Sequence, residues 1–365
     1  MSTRLEYGAS KISQILGPGP FSMTVDEDGG VISRAEFRFG YEHRGIERIA
    51  EKLSIVQNHA YSDRVDYHSA ASCNFSYAQA VERLGNMDLP ERAERIRVLL
   101  LELNRIFSHL IFVGKMARVA GHTPIAQFSV REKDRISDLF EMYCGSRLGF
   151  GSVCIGGVPS DATAGWMHKI ERALFDVQDF LEEVEEYLAR NPYFRRRMEG
   201  LAPVSYESAE EFGFSGVNAR ASGVGRDLRR SNPYSGYKLV QLAAMEAEAR
   251  GDAWSRFNYR LKEIHQSSEM ILGVINSLPQ GNHRISTGPG IFLPEGFAVS
   301  RVESPRGEFG ALLVSSGKET PARVHYFTPS RNVAERLPEL LSGVPVEDVF
   351  LALQSFDLCA SEVDR

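Results

Sequence analysis

The longest regular pattern of apolar residues in the chain lies between positions 90 and 120. Apolar side chains recur there at helical spacing, which predicts a single long helix. The repeating positions are Ile96, Leu99, Leu100, Leu103, Ile106, Phe107, Leu110 and Val113. Pro90 suits the first turn of such a helix. From Val98 onward the pattern is apolar almost all round, so we expect the second half to be buried on every side.

Three polar residues interrupt this buried half. Glu102, Arg105 and His109 follow one another at spacings of three and four residues, so they share one face of the helix. One interpretation is an internal ion pair with a hydrogen-bonded histidine, because an unpaired buried charge is strongly unfavourable. The other interpretation is a polar seam that faces a functional cavity.

The rest of the chain is predicted to be mainly helical, with strands near each end. A hairpin is expected over residues 21–39, since strands 22–25 and 31–39 flank the turn-rich stretch 26–30. Helical spacing recurs at 41–53, at 70–84, in a long block through 147, and at 161–191 and 240–278. A short antiparallel sheet follows, with strands 298–302, 310–315 and 322–327, and then helices at 332–341 and 346–355. The candidate linkers, 281–294 and 341–345, are too short to separate free domains.

Two further segments are rich in charged residues. Arg131, Asp134, Arg135 and Asp138 form a mixed-sign ladder that is typical of a solvated helix face. Residues 213–237 are rich in glycine, serine and arginine, which indicates an ordered loop. That loop is either a basic surface segment or a clamp whose arginines engage carboxylates of a partner.

Composition describes an ordinary globular protein of one large domain or two merged ones. The chain has 365 residues, of which 43% are hydrophobic and 25% charged. Its net charge of -6 argues against a nucleic-acid-binding protein, which would need a basic face. We expect no signal peptide and no membrane span, because no run of about 20 apolar residues occurs. The four cysteines include no CxxC pair, so a disulfide framework and a cysteine-rich metal site are not expected.

Several short motifs together resemble a family of respiratory complex I, NADH-quinone oxidoreductase: the hydrogenase-like large subunit of its quinone module, a relative of nickel-iron hydrogenase large subunits. The N-terminal ones are GYEHRGIE at 40–47, DRVDY at 63–67, and Glu102, Arg105 and His109 at their spacing. The others follow in the family's order: IGGV at 155–158, RASGV at 220–224, PYSGY at 233–237, ESPRGE at 303–308 and VDR at 363–365. Each motif is weak alone, but the ordered string is specific and covers residues 17–365.

The resemblance implies one mainly α domain over residues 1–365 with the hydrogenase large-subunit fold. It would comprise an N-terminal β-hairpin at 1–39, a helical core at 40–280 and a C-terminal β/α region at 295–365. The resemblance also implies a peripheral position on the cytoplasmic side of the inner membrane. Its partners would be a small iron-sulfur subunit, other peripheral-arm subunits and membrane-arm subunits, with no nucleic acid.

Four positions distinguish this chain from a hydrogenase. Hydrogenase large subunits hold nickel through two CxxC pairs, whose thiolates suit that metal. The positions that resemble these pairs carry Asp66, Ser69, Cys359 and Glu362, so one cysteine remains and no nickel site is expected.

For catalysis, the resemblance assigns a substrate quinone and an iron-sulfur cluster held by the partner, with no metal in this chain. Tyr67 matches the tyrosine whose hydroxyl meets a quinone carbonyl, where a phenol both hydrogen-bonds and donates a proton. Arg44 and Arg64 match arginines near the partner's cluster. The alternatives are a tyrosine that only packs at a helix start, and arginines paired with Glu47 or Asp63.

The chain also departs from the family pattern. Where the family has a histidine in an HPxxHG loop, residues 16–21 read LGPGPF, a shortened loop without histidine. The aspartate that pairs with that histidine is missing near 118–120, and a further histidine is replaced around Gly149. His68 and His122 are candidates to compensate.

The sequence therefore predicts a subunit of a proton-translocating NADH-quinone oxidoreductase that forms the quinone-reduction cavity with its iron-sulfur partner. One alternative is a nickel-free electron-transfer paralogue in a hydrogenase-related membrane complex. The other is a non-catalytic scaffold.

Overall fold

The computed structural model describes residues 3–16, 19–246, 250–288 and 290–365. Its first helices are α1 (Ala9–Leu16), α2 (Ile46–Ala50), α3 (Ile55–Ser62), α4 (Ala70–Leu84), α5 (Glu91–Val119), α6 (Thr123–Cys144) and α7 (Ala164–Val184). The later ones are α8 (Pro192–Met198), α9 (Tyr206–Glu211), α10 (Gly216–Arg220), α11 (Leu228–Ser231), α12 (Ala253–Asn276), α13 (Pro329–Leu340), α14 (Val349–Ser355) and α15 (Ala360–Asp364). A π turn at Glu185–Ala189 and 3-10 turns at Ser235–Leu239 and Val346–Asp348 complete the helical part.

Two small antiparallel sheets flank this helical body. The N-terminal sheet contains β1 (Thr3–Tyr7), β2 (Ser22–Asp28) and β3 (Val31–Arg38), in that order. The C-terminal sheet contains β4 (Gly296–Ser304), β5 (Gly307–Ser315) and β6 (Arg323–Phe327), also in sequence order. The second sheet packs on α4, where the hydroxyls of Ser76 and Ser300 lie 2.6 Å apart. The predicted fold class, mainly α with a hairpin and a C-terminal sheet, is confirmed.

Helix α5 lies at the centre of the molecule and packs against α4, α6, α12 and α14. Its apolar positions, from Ile96 to Val113, are completely or almost completely buried. The helix predicted over 90–120 is therefore confirmed, and it is buried on all sides from Val98 to Leu110.

The polar face of α5 is buried and paired, which confirms the first of the two interpretations. The Glu102 carboxylate accepts hydrogen bonds from Arg229 Nη1 at 3.1 Å and Arg105 Nε at 3.2 Å. It also accepts from Ser267 Oγ at 2.6 Å and Tyr237 Oη at 2.5 Å. Although burial opposes ionisation, Arg105 and Arg229 hold the pKa of Glu102 below its ordinary value.

A second carboxylate, Glu263 of α12, extends this cluster. It binds His109 Nε2 at 2.8 Å and Arg105 at 3.4 Å, and it pairs with Arg220. Arg220 in turn donates to Glu303 Oε1 of β4 at 2.7 Å. We call the whole set the buried charge network; its charged members are Glu102, Arg105, Arg220, Asp227, Arg229, Glu263 and Glu303.

The arginines of residues 213–237 correct the sequence interpretation of that segment. Arg220 and Arg229 are buried in the charge network, so neither a surface loop nor a clamp on a partner describes them. Only the neighbouring Arg226 and Arg230 are exposed among these arginines. The charges of this segment alone could not distinguish a surface loop, a clamp and a buried network. The carboxylate partners of Arg220 and Arg229 include residues far away in sequence.

Three predicted helices have different bounds in the structure. The helix predicted at 41–53 is confined to α2, because the Asp364 carboxylate accepts from Gly40 N at 2.7 Å and Glu42 N at 2.8 Å. The helix at 240–278 begins only after the Asp252 cap. Gly251 before it has φ of 62°, and a Cβ there would meet Val204 O at 1.9 Å. The helix at 161–191 starts after Thr163 and ends in the π turn.

The other predicted elements are close to the observed ones. The hairpin at 21–39 corresponds to β2 and β3, and β1 adds a strand that the pattern did not predict. The helix at 70–84 matches α4, and the charge ladder at 131–138 lies on an exposed or half-exposed face of α6. Within the described ranges, none of the helices combines the length and apolar character that a membrane span requires.

The substitution Glu102→Ala should lower the free energy of unfolding by about 3–5 kcal/mol, because it removes one carboxylate partner from each of the buried Arg105 and Arg229 and leaves positive charge uncompensated. Urea unfolding of the purified chain, followed by circular dichroism, measures the loss. Glu91→Ala on the same helix is the control, since this half-exposed residue forms only an i,i+4 pair with Arg95. Equal stability of the two variants would contradict a structural role for the network.

Candidate functional site

The segment before α4 meets the C-terminus of the chain at the turn between β4 and β5. Asp66 precedes α4, and Ser69 is at its N-cap position. Cys359 is at the N-cap position of α15, and Glu362 lies in the first turn of that helix. The tight β4–β5 turn carries Arg306 between them. These are the four positions that, by the family resemblance, match the nickel ligands of hydrogenases.

A guanidinium occupies the space among these four residues. Arg306 pairs with Asp66, and it donates to Ser69 Oγ at 3.3 Å and to the carbonyl of Asp357 at 2.9 Å. Although burial opposes ionisation, Arg306 holds the pKa of Asp66 below its ordinary value. Burial raises the pKa of the Cys359 thiol, which stays protonated.

This chemistry does not fit nickel, because a cation and a protonated thiol replace the thiolates that the metal needs. In the part of the chain that the structure describes, no group of three or more histidine, cysteine or acidic side chains is placed to hold a metal ion.

Glu362 is a buried neutral acid. Its Oε2 accepts the Ser330 N–H at 3.1 Å, and Oε1 has no hydrogen-bond partner among the described residues. Burial, reinforced by the negative charge of Asp66, raises its pKa to about 8. At neutral pH this position therefore carries a proton rather than a charge.

Tyr67 and the two predicted arginines lie together at the edge of this region. Arg44 Nη1 donates to the Tyr67 hydroxyl, and Arg44 Nη2 donates to the Arg64 carbonyl at 2.6 Å. The Arg64 guanidinium lies 3.7 Å from the centre of the Phe150 ring. Its only carboxylate contact among the described residues is a loose one of 3.6 Å to Asp63. The alternative that Arg44 pairs with Glu47 is excluded, since Glu47 binds Arg323, His325 and Arg365.

Two neighbouring cavities open beside Tyr67. The smaller one, about 20 Å³, is lined mainly by polar groups, among them Glu42, Asp66, Tyr67, Arg306 and Cys359. The larger one, about 360 Å³, lies between α5 and α6 and has an apolar wall of Phe107, Ile111, Val130 and Leu148. His68 and Lys115 line both cavities. The first volume suits a single water, whereas the second lies in the range of small-molecule sites.

His68 is one of the two histidines that could compensate for the one missing from the family loop. Arg306 Nη2 donates to His68 Nδ1 at 3.2 Å, so the ring proton resides on Nε2. Burial lowers the pKa of His68 to about 3, helped by the positive charges of Lys115 and Arg306, and the ring stays neutral. His122 instead caps α6 by accepting from Ile125 N at 3.3 Å, which makes it structural.

The loop that lacks the family histidine also reaches the site. Gly17 and Pro18 lie outside the described residues, but Gly19 lines the smaller cavity. Gly19 lies between α1 and β2, and it packs so closely that a Cβ there would lie 3.1 Å from Ala360 Cβ. Where the family aspartate is absent, Arg118 instead donates to the Ile15 carbonyl at the end of α1.

Comparison with known proteins decides the family. Residues 120–289 and 282–365 match the family of the respiratory-chain NADH dehydrogenase 49 kDa subunit. The chain belongs to this family. A NADH-quinone oxidoreductase subunit from Carboxydothermus hydrogenoformans is 39% identical over 346 residues, which cover 95% of this chain and 94% of the relative. The subunit of the same name from Bacillus mycoides is 36% identical over 347 residues, with coverage of 95% and 94%.

A solved structure has the same fold. A chain of the membrane-bound sulfane sulfur reductase, described as an archaeal respiratory membrane complex, superimposes with a TM-score of 0.94. The two chains are 29% identical, and the match covers 100% of this chain and 98% of the other. The resemblance to the complex I family and the assignment as a subunit of an oxidoreductase complex are confirmed.

Sequence reasoning missed two residues of the site. Arg306 was part of the ESPRGE motif at 303–308, but no pattern indicated that its guanidinium would lie against Asp66 and Ser69. The sequence does mark Lys115 as unusual, since it is a lone lysine in the apolar half of α5. That signal shows only that the position is unusual, and the structure was needed to find the cavities beside it.

The substitution Glu362→Gln should flatten the dependence of stability on pH between 4.5 and about 8. The unfolded chain releases this proton near 4.5, whereas the folded chain holds it to about 8. The folded state therefore binds more protons in this window, and the free energy of unfolding falls as the pH rises. Thermal melting over this pH range measures the slope. Glu335→Gln, on an exposed part of α13, should keep the wild-type slope, and an unchanged slope in Glu362→Gln would contradict the assignment.

The purified chain should contain no stoichiometric nickel, because only one of the four positions carries a thiol, that thiol is protonated, and the Arg306 cation lies against Asp66. Elemental analysis by mass spectrometry measures the content after expression in nickel-supplemented medium. One nickel per chain would show that the residues rearrange around a metal.

Proposed function

We propose that this chain forms the quinone-reduction site of a proton-translocating NADH-quinone oxidoreductase together with a small iron-sulfur subunit. The observation that carries the proposal is the placement of the Tyr67 hydroxyl. It accepts from Arg44 and lines a polar cavity that shares His68 and Lys115 with an apolar cavity of about 360 Å³. The names of the relatives support the substrate class.

The hydrogen bond to Tyr67 has a consequence for proton transfer. Because Arg44 donates to the phenol oxygen, the Tyr67 proton is left available for a quinone carbonyl. The Arg44 charge also stabilises the phenolate that remains after the transfer. Reduction of a quinone to a quinol takes two electrons and two protons. The partner's cluster would supply the two electrons, Tyr67 would supply one proton to a carbonyl oxygen, and water would supply the second proton to the other carbonyl oxygen.

The same geometry supports a role for Arg64 and Arg44 beside the partner's cluster. Arg64 is about one-third exposed, and its guanidinium is stacked on Phe150 rather than tightly paired with a carboxylate. A fixed positive charge near an iron-sulfur cluster favours its reduced form. In this proposal Arg44 and Arg64 face the cluster, and Arg44 also orients Tyr67.

The family supports a proposed position in the cell. The chain would be a peripheral subunit on the cytoplasmic side of the inner membrane, in contact with other peripheral-arm subunits and with the membrane arm. Electron transfer at this site would then be coupled to proton translocation elsewhere in the complex.

A second function is supported by the solved structure. The chain that superimposes with a TM-score of 0.94 belongs to a sulfane sulfur reductase complex. A nickel-free electron-transfer subunit in a complex of this type would have the same fold. Co-purified subunits separate the two functions, because NADH-oxidising subunits accompany only the first.

The substitution Tyr67→Phe should reduce the quinone reductase rate of the assembled complex by about tenfold to a thousandfold. The variant keeps the aromatic ring that lies 6.3 Å from Phe150 but removes the hydroxyl and its proton. The rate is measured with a water-soluble quinone. Reduction of the partner's cluster should be unaffected, because electrons reach the cluster before the tyrosine.

The matched control is Tyr193→Phe, because Tyr193 is 71% exposed and lies on α8, outside both cavities. Its quinone reductase rate should equal that of the wild type. Unchanged turnover in an assembled Tyr67→Phe complex would mean that Tyr67 only packs, and the electron-transfer or scaffold function would then be preferred.

A further inference from the structure

Lys115 is placed where the two cavities beside Tyr67 meet. It lies on α5 one turn before the helix end, with its side chain lining both the polar and the apolar cavity. Lys115 is only partly accessible, and it forms no hydrogen bond or ion pair with the described residues. Such a group is unusual, because buried ammonium groups are normally paired.

Two of the carboxylates near Lys115 lie against Arg306 instead. Asp66 pairs with Arg306, and the Asp357 carboxylate lies 3.6 Å from Arg306 Nε. Burial lowers the pKa of Lys115, although the more distant Asp357 and Asp66 favour its charged form. The Lys115 ammonium therefore has three donors, and no acceptor of the described chain takes one of them.

The shape of the larger cavity restricts what can reach this ammonium. Phe107, Ile111 and Leu148 provide an apolar wall, whereas His68 and Lys115 stand at the end shared with the polar cavity. A ligand with an apolar ring and tail would lie along the wall. Its oxygen would then point toward the nitrogen donors of His68 and Lys115.

We infer that Lys115 is a ligand-binding residue, whose ammonium donates to a quinone oxygen and binds best when that oxygen carries negative charge. The inference rests on the proposed function and adds a ligand preference to it. As electrons enter the quinone head, negative charge accumulates on its oxygens. An ammonium beside an apolar wall stabilises this charge more than it would in bulk water.

A purely structural role is the alternative. Lys115 would then serve only to balance the charges of Asp66 and Asp357 in the fold. In that case, its removal would lower stability and weaken every ligand alike, without changing the preference between anionic and neutral ligands.

Two probes distinguish these roles in the assembled complex. One is 2-hydroxy-1,4-naphthoquinone, which is an anion at neutral pH, and the other is 1,4-naphthoquinone, which is neutral and has nearly the same shape. Lys115→Met should weaken binding of the anion by about tenfold to a hundredfold, since a hydrogen bond to a charged group is lost. Binding of the neutral probe should weaken by about threefold or less.

Lys115→Arg and Lys169→Met are the matched variants. Lys115→Arg keeps the positive charge and should retain most of the preference for the anion. Lys169 is exposed on α7, outside both cavities, so Lys169→Met removes one charge from the chain and should bind both probes like the wild type.

The outcomes separate this inference from the proposed function. If Lys115→Met binds both probes like the wild type, or loses both in parallel together with thermal stability, the inference is wrong. The proposed function survives either result as long as the wild type reduces quinone. If the wild-type complex neither binds the probes nor reduces quinone, both proposals fail together.

Discussion

The buried charge network is the constraint on which the rest of the structure depends. Its carboxylates and guanidiniums come from elements far apart in sequence, and each group is compensated only when all of those elements are in place. A network of this kind adds little net stability compared with an apolar core, but any misplaced element leaves a charge buried and unpaired. It therefore fixes the relative positions of α5, α10, α11, α12 and β4 more strictly than apolar contacts would.

The same network positions the site through β4. Glu303 is held by Arg220 and by the Leu228 N–H at 3.0 Å, and the β4–β5 turn follows immediately. Arg306 at that turn reaches the segment before α4, where it holds Asp66 and the His68 ring. Tyr67 lies between these two residues. The arrangement of the proposed reactive groups is thus a consequence of charge pairing that begins at the centre of α5.

How much could be predicted depended on whether the determining contacts were local. Helix α4 and the strongly periodic α5 were predicted to within a residue or so at each end, because their own apolar spacing determines them. The non-helical residues 41–45 and 250–252 were missed, since the distant Asp364 and Val204 determine their backbone. In the site, Tyr67 and Arg44 were predicted from motifs and do lie in contact. Lys115 and Arg306 belonged to no such prediction, because their roles arise from cavities that only tertiary packing creates.

The charge balance at the smaller cavity suggests why electron and proton transfer would be linked in this chain. Its charged lining residues are two acids and two bases, Glu42 and Asp66 against Lys115 and Arg306, whereas His68 and the Cys359 thiol are neutral. The formal charges of these residues cancel before the reaction. An additional negative charge would therefore be uncompensated, which is unfavourable in a medium of low dielectric constant. An electron that arrives on a bound quinone therefore favours the uptake of a proton at the same place. With Arg306 beside Asp66 and Ser69, the fold would in this way suit the proposed reaction, which moves protons with electrons.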